Sequence, residues 1–251
     1  MSADLWPKGV GRIALPSVGS TNAEAFRRAP LLAGPAWILA AEQTAGRGRR
    51  SRPWSSPIGN FYATLVLPVG EAPQVVALRS FVAALALHDA LAVATGNPQA
   101  LALKWPNDVL LSEGKVAGIL LECQTTGPGC QTLAIGIGVN LIGHPDTSAV
   151  EPGATPPVSV LAASGQRFTP EAFLNLLAPA YARWETTFTT QGFAPIRSAW
   201  LLRAARLGQP IRARTGTEDR QGTFDSIDHD GNLILRTATA TLAIPAAEVF
   251  F

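Results

Sequence analysis

The chain has 251 residues, enough to bury a full core in one large domain or in a large and a small one. A hydrophobic share of 47% with 15% charged residues excludes a disordered chain, and a net charge of +2 is too small to coat a face for nucleic acid. Two cysteines, Cys123 and Cys130, and the scattered His88, His144 and His229 have no metal-ligand spacing, which argues against a metal site. The opening residues carry Asp4, Lys8 and Arg12 and no apolar block, so the sequence reads as cytoplasmic, with both thiols reduced. Lysine is confined to Lys8, Lys104 and Lys115, a bias that sets the two interior lysines apart from surface filler.

Ser20-Thr21-Asn22-Ala23-Glu24 predicts a helix start, with a hydroxyl or amide as cap and an acid in the first turn. The same polar groups at a helix N-terminus can hold a polar ligand. Residues 36–41 predict a central strand that delivers the loop at 42–54. There, residues 46–52 pack four arginines and two glycines into seven positions. The glycines allow unusual dihedrals and close approach, and the arginines offer planar forks for phosphate or carboxylate oxygens. Charges of one sign repel, so the loop is expected to stay mobile until an anion orders it; a solvated basic turn is the plainer alternative. Residues 61–67 predict a second strand. A long helix follows over 75–93, ended by Gly96-Asn97-Pro98; Arg79, His88 and Asp89 mark it as buried in protein rather than spanning a membrane.

Residues 101–111 predict strand, turn and strand around Lys-Trp-Pro-Asn-Asp at 104–108. Residues 115–122 form a strand interrupted by Gly118, and 133–141 a strand with Gly136 and Gly138 on one face. Strands in succession after one helix predict an α+β layer architecture rather than a βαβ repeat. Residues 143–157 hold five prolines or glycines beyond Gly143 and predict a loop ordered by ligand. Thr169-Pro170-Glu171 starts a helix through Leu176, Tyr181, Trp184 and Phe188, which Pro179 should kink or split. Another helix is expected over 196–205. From Pro210 four short strands, 211–214, 223–227, 233–237 and 241–244, surround a hairpin turn at 229–232. They predict a small β-barrel unit docked on the main domain, with units at 1–205 and 206–251.

Three motifs stand together: Gly-Arg-Gly-Arg-Arg at 46–50, Lys-Trp-Pro-Asn-Asp at 104–108, and Lys115-Val116-Ala117-Gly118. Gly136 and Gly138 lie within a strand and lack a third glycine, so they are no dinucleotide fingerprint. In order along nearly the whole chain, through Ser20-Thr21-Asn22, the 42–54 loop, Gly59-Asn60-Phe61-Tyr62, 104–108, 115–122 and 136–140, the sequence resembles the bacterial biotin–protein ligases. The resemblance implies an α+β fold: a class II synthetase-like catalytic domain, built as a mixed β-sheet with flanking helices, and a small SH3-like β-barrel behind it. It implies two half-reactions: biotin and ATP give biotinyl-5′-AMP and pyrophosphate, and a carrier lysine then takes the biotin and releases AMP. It also implies MgATP as substrate, with magnesium held by phosphate and water oxygens, and the biotin carboxyl carrier protein of a carboxylase as partner.

By the same resemblance, Ser20, Thr21 and Gln43 hold the ureido ring of biotin, and Asn22 is a further biotin-binding residue. Arg47, Gly48 and Arg49 close over biotin and the adenylate. Lys115 meets the biotin carboxylate, and Gly118 lets the biotin chain lie on backbone. Lys104 and Asn107 face the phosphates, with Arg52 also on the ATP side, and Trp54 and Asn140 line the adenine side. Asp108 orients or deprotonates the carrier amine, so Lys115, Lys104, Arg49 and Asp108 form the catalytic set. About twenty residues precede Ser20, which fits the monofunctional type with no DNA contact; family members often form homodimers by edge-to-edge sheet pairing. The 143–160 segment matches the family poorly and offers Val158 or its neighbours where some members have tryptophan. The rival readings are a lipoate- or octanoate-transferring relative of the same fold and an RNA-binding module that uses 47–52 as a basic arm.

Overall fold

A computed structural model of the chain describes residues 6–125, 131–146, 150–151, 153–216 and 218–251. The chain enters as β1 (Gly11–Leu15), α1 (Thr21–Arg28), β2 (Ala36–Ala40) and β3 (Phe61–Pro68), then the short α2 (Pro73–Ala77) and α3 (Arg79–Thr95). The strands β4 (Leu101–Lys104), β5 (Asp108–Leu111), β6 (Gly114–Gln124) and β7 (Thr132–Val139) follow. They build one mixed sheet in the order β1-β2-β3-β7-β6-β5-β4, parallel at β1–β2 and antiparallel elsewhere. β2 lies one place from the edge, yet all five of its residues are buried.

Alternation explains that burial. Trp37 and Leu39 join the main core under α3, while Ala36 and Ile38 join a smaller cluster with Ala25 of α1. The same rule splits β7: Leu133, Ile135, Ile137 and Val139 enter the main core, and Ala134, Gly136 and Gly138 turn to the α1 face. One face of the sheet is thus a thick helix layer. The other has a low floor of small residues, where a ligand has room.

The helix layer holds α3 and, after the short α4 (Val160–Ser164), α5 (Pro170–Gln191) and α6 (Phe193–Leu201). The 73–95 segment is long and apolar enough to cross a membrane by composition, but it is the buried helix of this core. Thr169 caps α5 through its side chain, as expected. Pro179 does not split that helix, because Leu177, Ala178, Ala180 and Tyr181 around it are all buried against the core. Cys123 is disulfide-bonded, against the expectation of a reduced thiol; Cys130 lies outside the described residues.

The last stretch is a five-stranded antiparallel sheet, β8 (Pro210–Arg214), β9 (Asp219–Ile227), β10 (Leu233–Arg236), β11 (Thr241–Ile244) and β12 (Glu248–Phe250), in the order β11-β10-β9-β8-β12. β12 was not predicted, being three residues long. The sheet is not an appendage, since Ile211, Phe224, Leu233 and Val249 belong to the same buried cluster as α3. Its hairpin turn docks on the Lys-Trp-Pro-Asn-Asp motif: Trp105 Nε1 donates to Gly231 O at 3.1 Å. Gly231 has φ +83°, and a Cβ there would lie 2.9 Å from the Phe81 ring.

Candidate active site

The motifs line one cavity of about 590 Å³ on the α1 face of the large sheet. Its floor is a pair of cross-strand partners, Gly118 on β6 and Gly138 on β7. The Trp54 indole lies across both: a Cβ on Gly138 would sit 2.6 Å from the ring, and one on Gly118 3.1 Å. Glycine is required here because an aromatic plane rests on the backbone. Gly118 was expected to mark a close approach to the backbone, and the group that approaches it is Trp54. Trp54 Nε1 is buried with no hydrogen-bond partner among the described residues, and Lys115 Nζ stands 5.6 Å from the indole centroid.

At one end of the cavity stand Ser20, Thr21, Asn22 and Gln43. Ser20 precedes α1 in an extended conformation but makes no side-chain cap bond, contrary to expectation, which leaves its hydroxyl to the cavity. Glu24 pairs with Arg27 and Arg28 instead, and these hold its carboxyl down at about 2. Gln43 is committed on both sides: its Oε1 accepts from Thr21 N at 2.9 Å and Thr21 Oγ1 at 3.1 Å, and its Nε2 donates to Ser56 Oγ at 3.2 Å. Asn22 is a framework residue. It donates to Glu122 Oε2 at 2.8 Å and Leu120 O at 3.3 Å, and accepts from the buried Thr64 Oγ1 at 2.6 Å. A Cβ on Gly136 would lie 2.3 Å from Asn22 Oδ1, so that glycine makes room for the asparagine.

The other end is cationic. Lys115 Nζ meets Asp108 Oδ1 at 2.8 Å, off the hydrogen-bonding axis, as an ion pair. Lys104 is nearly buried; burial holds its pKa below the ordinary lysine value, and Lys115 adds to this while Asp108 and Glu248 oppose it. Arg49 shows the same pattern, its pKa lowered first by burial while Asp108 opposes. One carboxylate therefore serves three cations. Asn107 fastens the turn to β6, donating to Ile119 O at 2.7 Å, and offers Oδ1 to Arg49 Nη1 at 3.4 Å. Asn140 donates to Val158 O at 3.1 Å and so holds the 155–158 segment beside the site.

The arginine loop is not the free anion trap expected of it. Residues 49–51 form a 3₁₀ turn, and the unusual backbone falls on Arg50 (φ 55°) and Ser51 (φ 57°) rather than on the glycines. Gly46 matters for its size, since a Cβ there would lie 2.7 Å from Trp54 O and Ser56 Oγ; Gly48 is under no such constraint. Internal carboxylates take the place of a ligand anion. Arg50 and Arg52 pair with Glu248, Arg52 also reaches Glu151 at 3.1 Å, and Arg47 reaches Glu122 at 3.4 Å. Arg214 of β8 joins the group, meeting Glu151 at 2.6 Å and Glu248 at 2.8 Å. Sequence reading missed these three glutamates. Glu122 was in view at the end of its strand, whereas Glu248 sits on the unpredicted β12.

Residues 14–140 match the model of the biotin/lipoate A/B protein ligase family, and 207–251 match that of the biotin protein ligase C-terminal domain. A biotin–[acetyl-CoA-carboxylase] ligase of Paracoccus denitrificans is 62% identical over 92% of this chain and 97% of its own. The bifunctional ligase/repressor BirA of Bacillus subtilis is 30% identical over 84% of this chain and 65% of its own. In three dimensions the chain superposes on a biotin protein ligase from Aquifex aeolicus in complex with biotin and ATP, with TM-score 0.80, 23% identity and coverage of 95% and 97%.

Proposed function

The chain belongs to the biotin/lipoate A/B protein ligase family, and on that premise we propose how its residues activate biotin and pass it to a carrier lysine. It is an ATP-dependent biotin–[acetyl-CoA-carboxylase] ligase, acting on a carrier protein of a carboxylase. The observation that carries the site assignment is the cavity itself, which joins a polar cradle at Ser20, Thr21 and Gln43 to a cationic end at Lys104, Lys115 and Arg49.

In the first step a carboxylate oxygen of biotin attacks the α-phosphorus of MgATP, and pyrophosphate leaves. Negative charge crowds around one phosphorus, so fixed cations aimed there lower the barrier. We assign Lys115 to the biotin carboxylate, Lys104 and Asn107 to the phosphates, and Arg47, Arg49 and Arg52 to the closing loop. Trp54 and Asn140 take the adenine side, with Gly48 giving backbone access and Gly118 seating the Trp54 ring. In the second step the carrier amine attacks the acyl carbon, the bond to phosphate breaks, AMP leaves and the amine gives up a proton. Asp108, paired with Lys115, orients that amine and receives the proton. Neither step needs a protein nucleophile, so alignment supplies much of the remaining acceleration.

The same reading sets units at 1–205 and 206–251, with Glu248, Val249 and Phe250 contributed by the second to the cavity. It places the enzyme in the cytoplasm. It assigns no DNA contact, because Arg47, Arg50 and Arg52 of the 46–52 loop are paired with carboxylates. A homodimer would use the β1 edge, since the opposite edge already bridges Leu103 to Ala204; sedimentation of a variant with a charge placed in β1 tests this. The site assignment is tested by native mass spectrometry after incubation with biotin and MgATP. Retained biotinyl-AMP in wild type, lost in Arg49→Ala and Lys115→Ala, is the expected result; full retention in both variants would contradict it.

A further inference from the structure

Lys104 closes β4 with 7% of its surface exposed. An ammonium has three donors. Among the described residues one is taken: Nζ donates to Thr155 Oγ1 at 2.6 Å. The ring of Phe251 covers another side, its centroid 4.8 Å from Nζ. Thr155 does not hang free. Its neighbour Pro156 accepts from Lys115 N at 2.7 Å, and Val158 N donates to Lys115 O at 3.0 Å. Gly114, at the start of β6, leaves the space that the Val158 side chain fills, since a Cβ there would lie 2.8 Å from it. The segment is a strap stitched to the backbone of one site lysine, and it holds the side chain of the other.

The geometry points to Thr155 as a positioning residue that fixes one donor of Lys104 and, with Phe251 covering another side, leaves the third aimed at a phosphate oxygen of the nucleotide. This rests on the assignment of Lys104 to the phosphates made above. The charged groups acting on Lys104 are Asp108 of β5, Lys115 of β6 and Glu248 of β12; burial and Lys115 oppose its charge, while the two carboxylates support it. A hydrogen bond accepted from the ammonium also supports the charged form, so its removal should move the lysine to lower pKa.

The test is the pH profile of biotin-dependent pyrophosphate–ATP exchange for the full chain, with Thr155→Val, Thr155→Ser and Lys104→Met beside wild type. Thr155→Val should raise KM for ATP by about tenfold, as expected for a lost hydrogen bond to a charged group, with a smaller change in kcat. Its alkaline limb should move to lower pH, and Thr155→Ser should restore both. If Thr155→Val loses its thermal transition, Thr155→Ala serves in the same comparison. Profiles and KM equal to wild type in Thr155→Val, with exchange lost in Lys104→Met, would overturn the role of Thr155 alone. A Thr155→Ser variant no better than Thr155→Val would also overturn it. Wild-type exchange in Lys104→Met would overturn the placing of Lys104 at the phosphates, and this inference with it.

Discussion

Trp54 lies flat on Gly118 and Gly138, and the contact is tight enough to set sharp expectations for single residues. Gly138→Ala puts a methyl group 2.6 Å from the indole, which must then leave its seat. The variant should lose about 1–3 kcal/mol of stability, the usual range for overpacking. It should also retain biotinyl-AMP poorly, which denaturant unfolding and filter retention would measure. Asn22→Ala acts by the opposite route. It leaves the buried Thr64 hydroxyl without its partner and takes one of two side-chain partners from Glu122, and should cost about 1–3 kcal/mol in urea unfolding, as an orphaned buried polar group does. Gly136 and Gly138 were visible in the sequence as a pair on one face of a strand, and Gly118 as an interruption of its own. Their partners were not, because Trp54 and Asn22 lie far from them along the chain and no local spacing encodes that contact. Asn22 shows the same gap: a polar residue at a helix start can hold a ligand or the frame, and only its three hydrogen bonds decide for the frame.

At the scale of elements, the loop at 46–52 is held by the last strand of the chain. Glu248 of β12 receives Arg50, Arg52 and Arg214. Burial raises its pKa, but the hydrogen bonds from Arg52 and Arg214 outweigh this and bring the carboxyl down to about 2. The sign follows: a carboxyl depressed in the folded state stabilises the loop contact above its ordinary value near 4.5, and the contribution fades as pH falls from there towards 2. Limited trypsin digestion at neutral pH should cut Glu248→Gln faster within 47–52 than wild type, and raised salt should narrow the difference by screening the wild-type pairs. Equal digestion would show that the loop is held by its 3₁₀ turn alone. Sequence reading found the loop and its chemistry but expected repulsion to keep it loose. Charge patterning along the chain shows the arginines together; it does not show a glutamate about two hundred residues away. The long strands and helices were legible from alternation and caps, whereas the three-residue β12 has no period to read.

At the scale of the molecule, one buried cluster runs from α3 through α6 into the C-terminal sheet, with Trp200 between Phe81 at 5.4 Å and Phe224 at 6.4 Å. A chain ended at residue 205 would uncover Phe81, Trp105 and Trp200 together. It should lack a cooperative thermal transition by circular dichroism, while the full chain melts in one step. The α+β architecture was predictable because β4 to β7 follow one another without helices between them, whereas the parallel β1–β2 pair, joined through α1, was not. The docking of the second sheet on Trp105 was not, because it depends on where a hairpin turn falls in space. The central claim is that this cavity makes an acyl-adenylate of biotin. Exchange of labelled pyrophosphate into ATP, measured with biotin and with lipoate in parallel, tests it most directly. The account predicts exchange that requires biotin and is absent with lipoate; exchange supported by lipoate and not by biotin would contradict it.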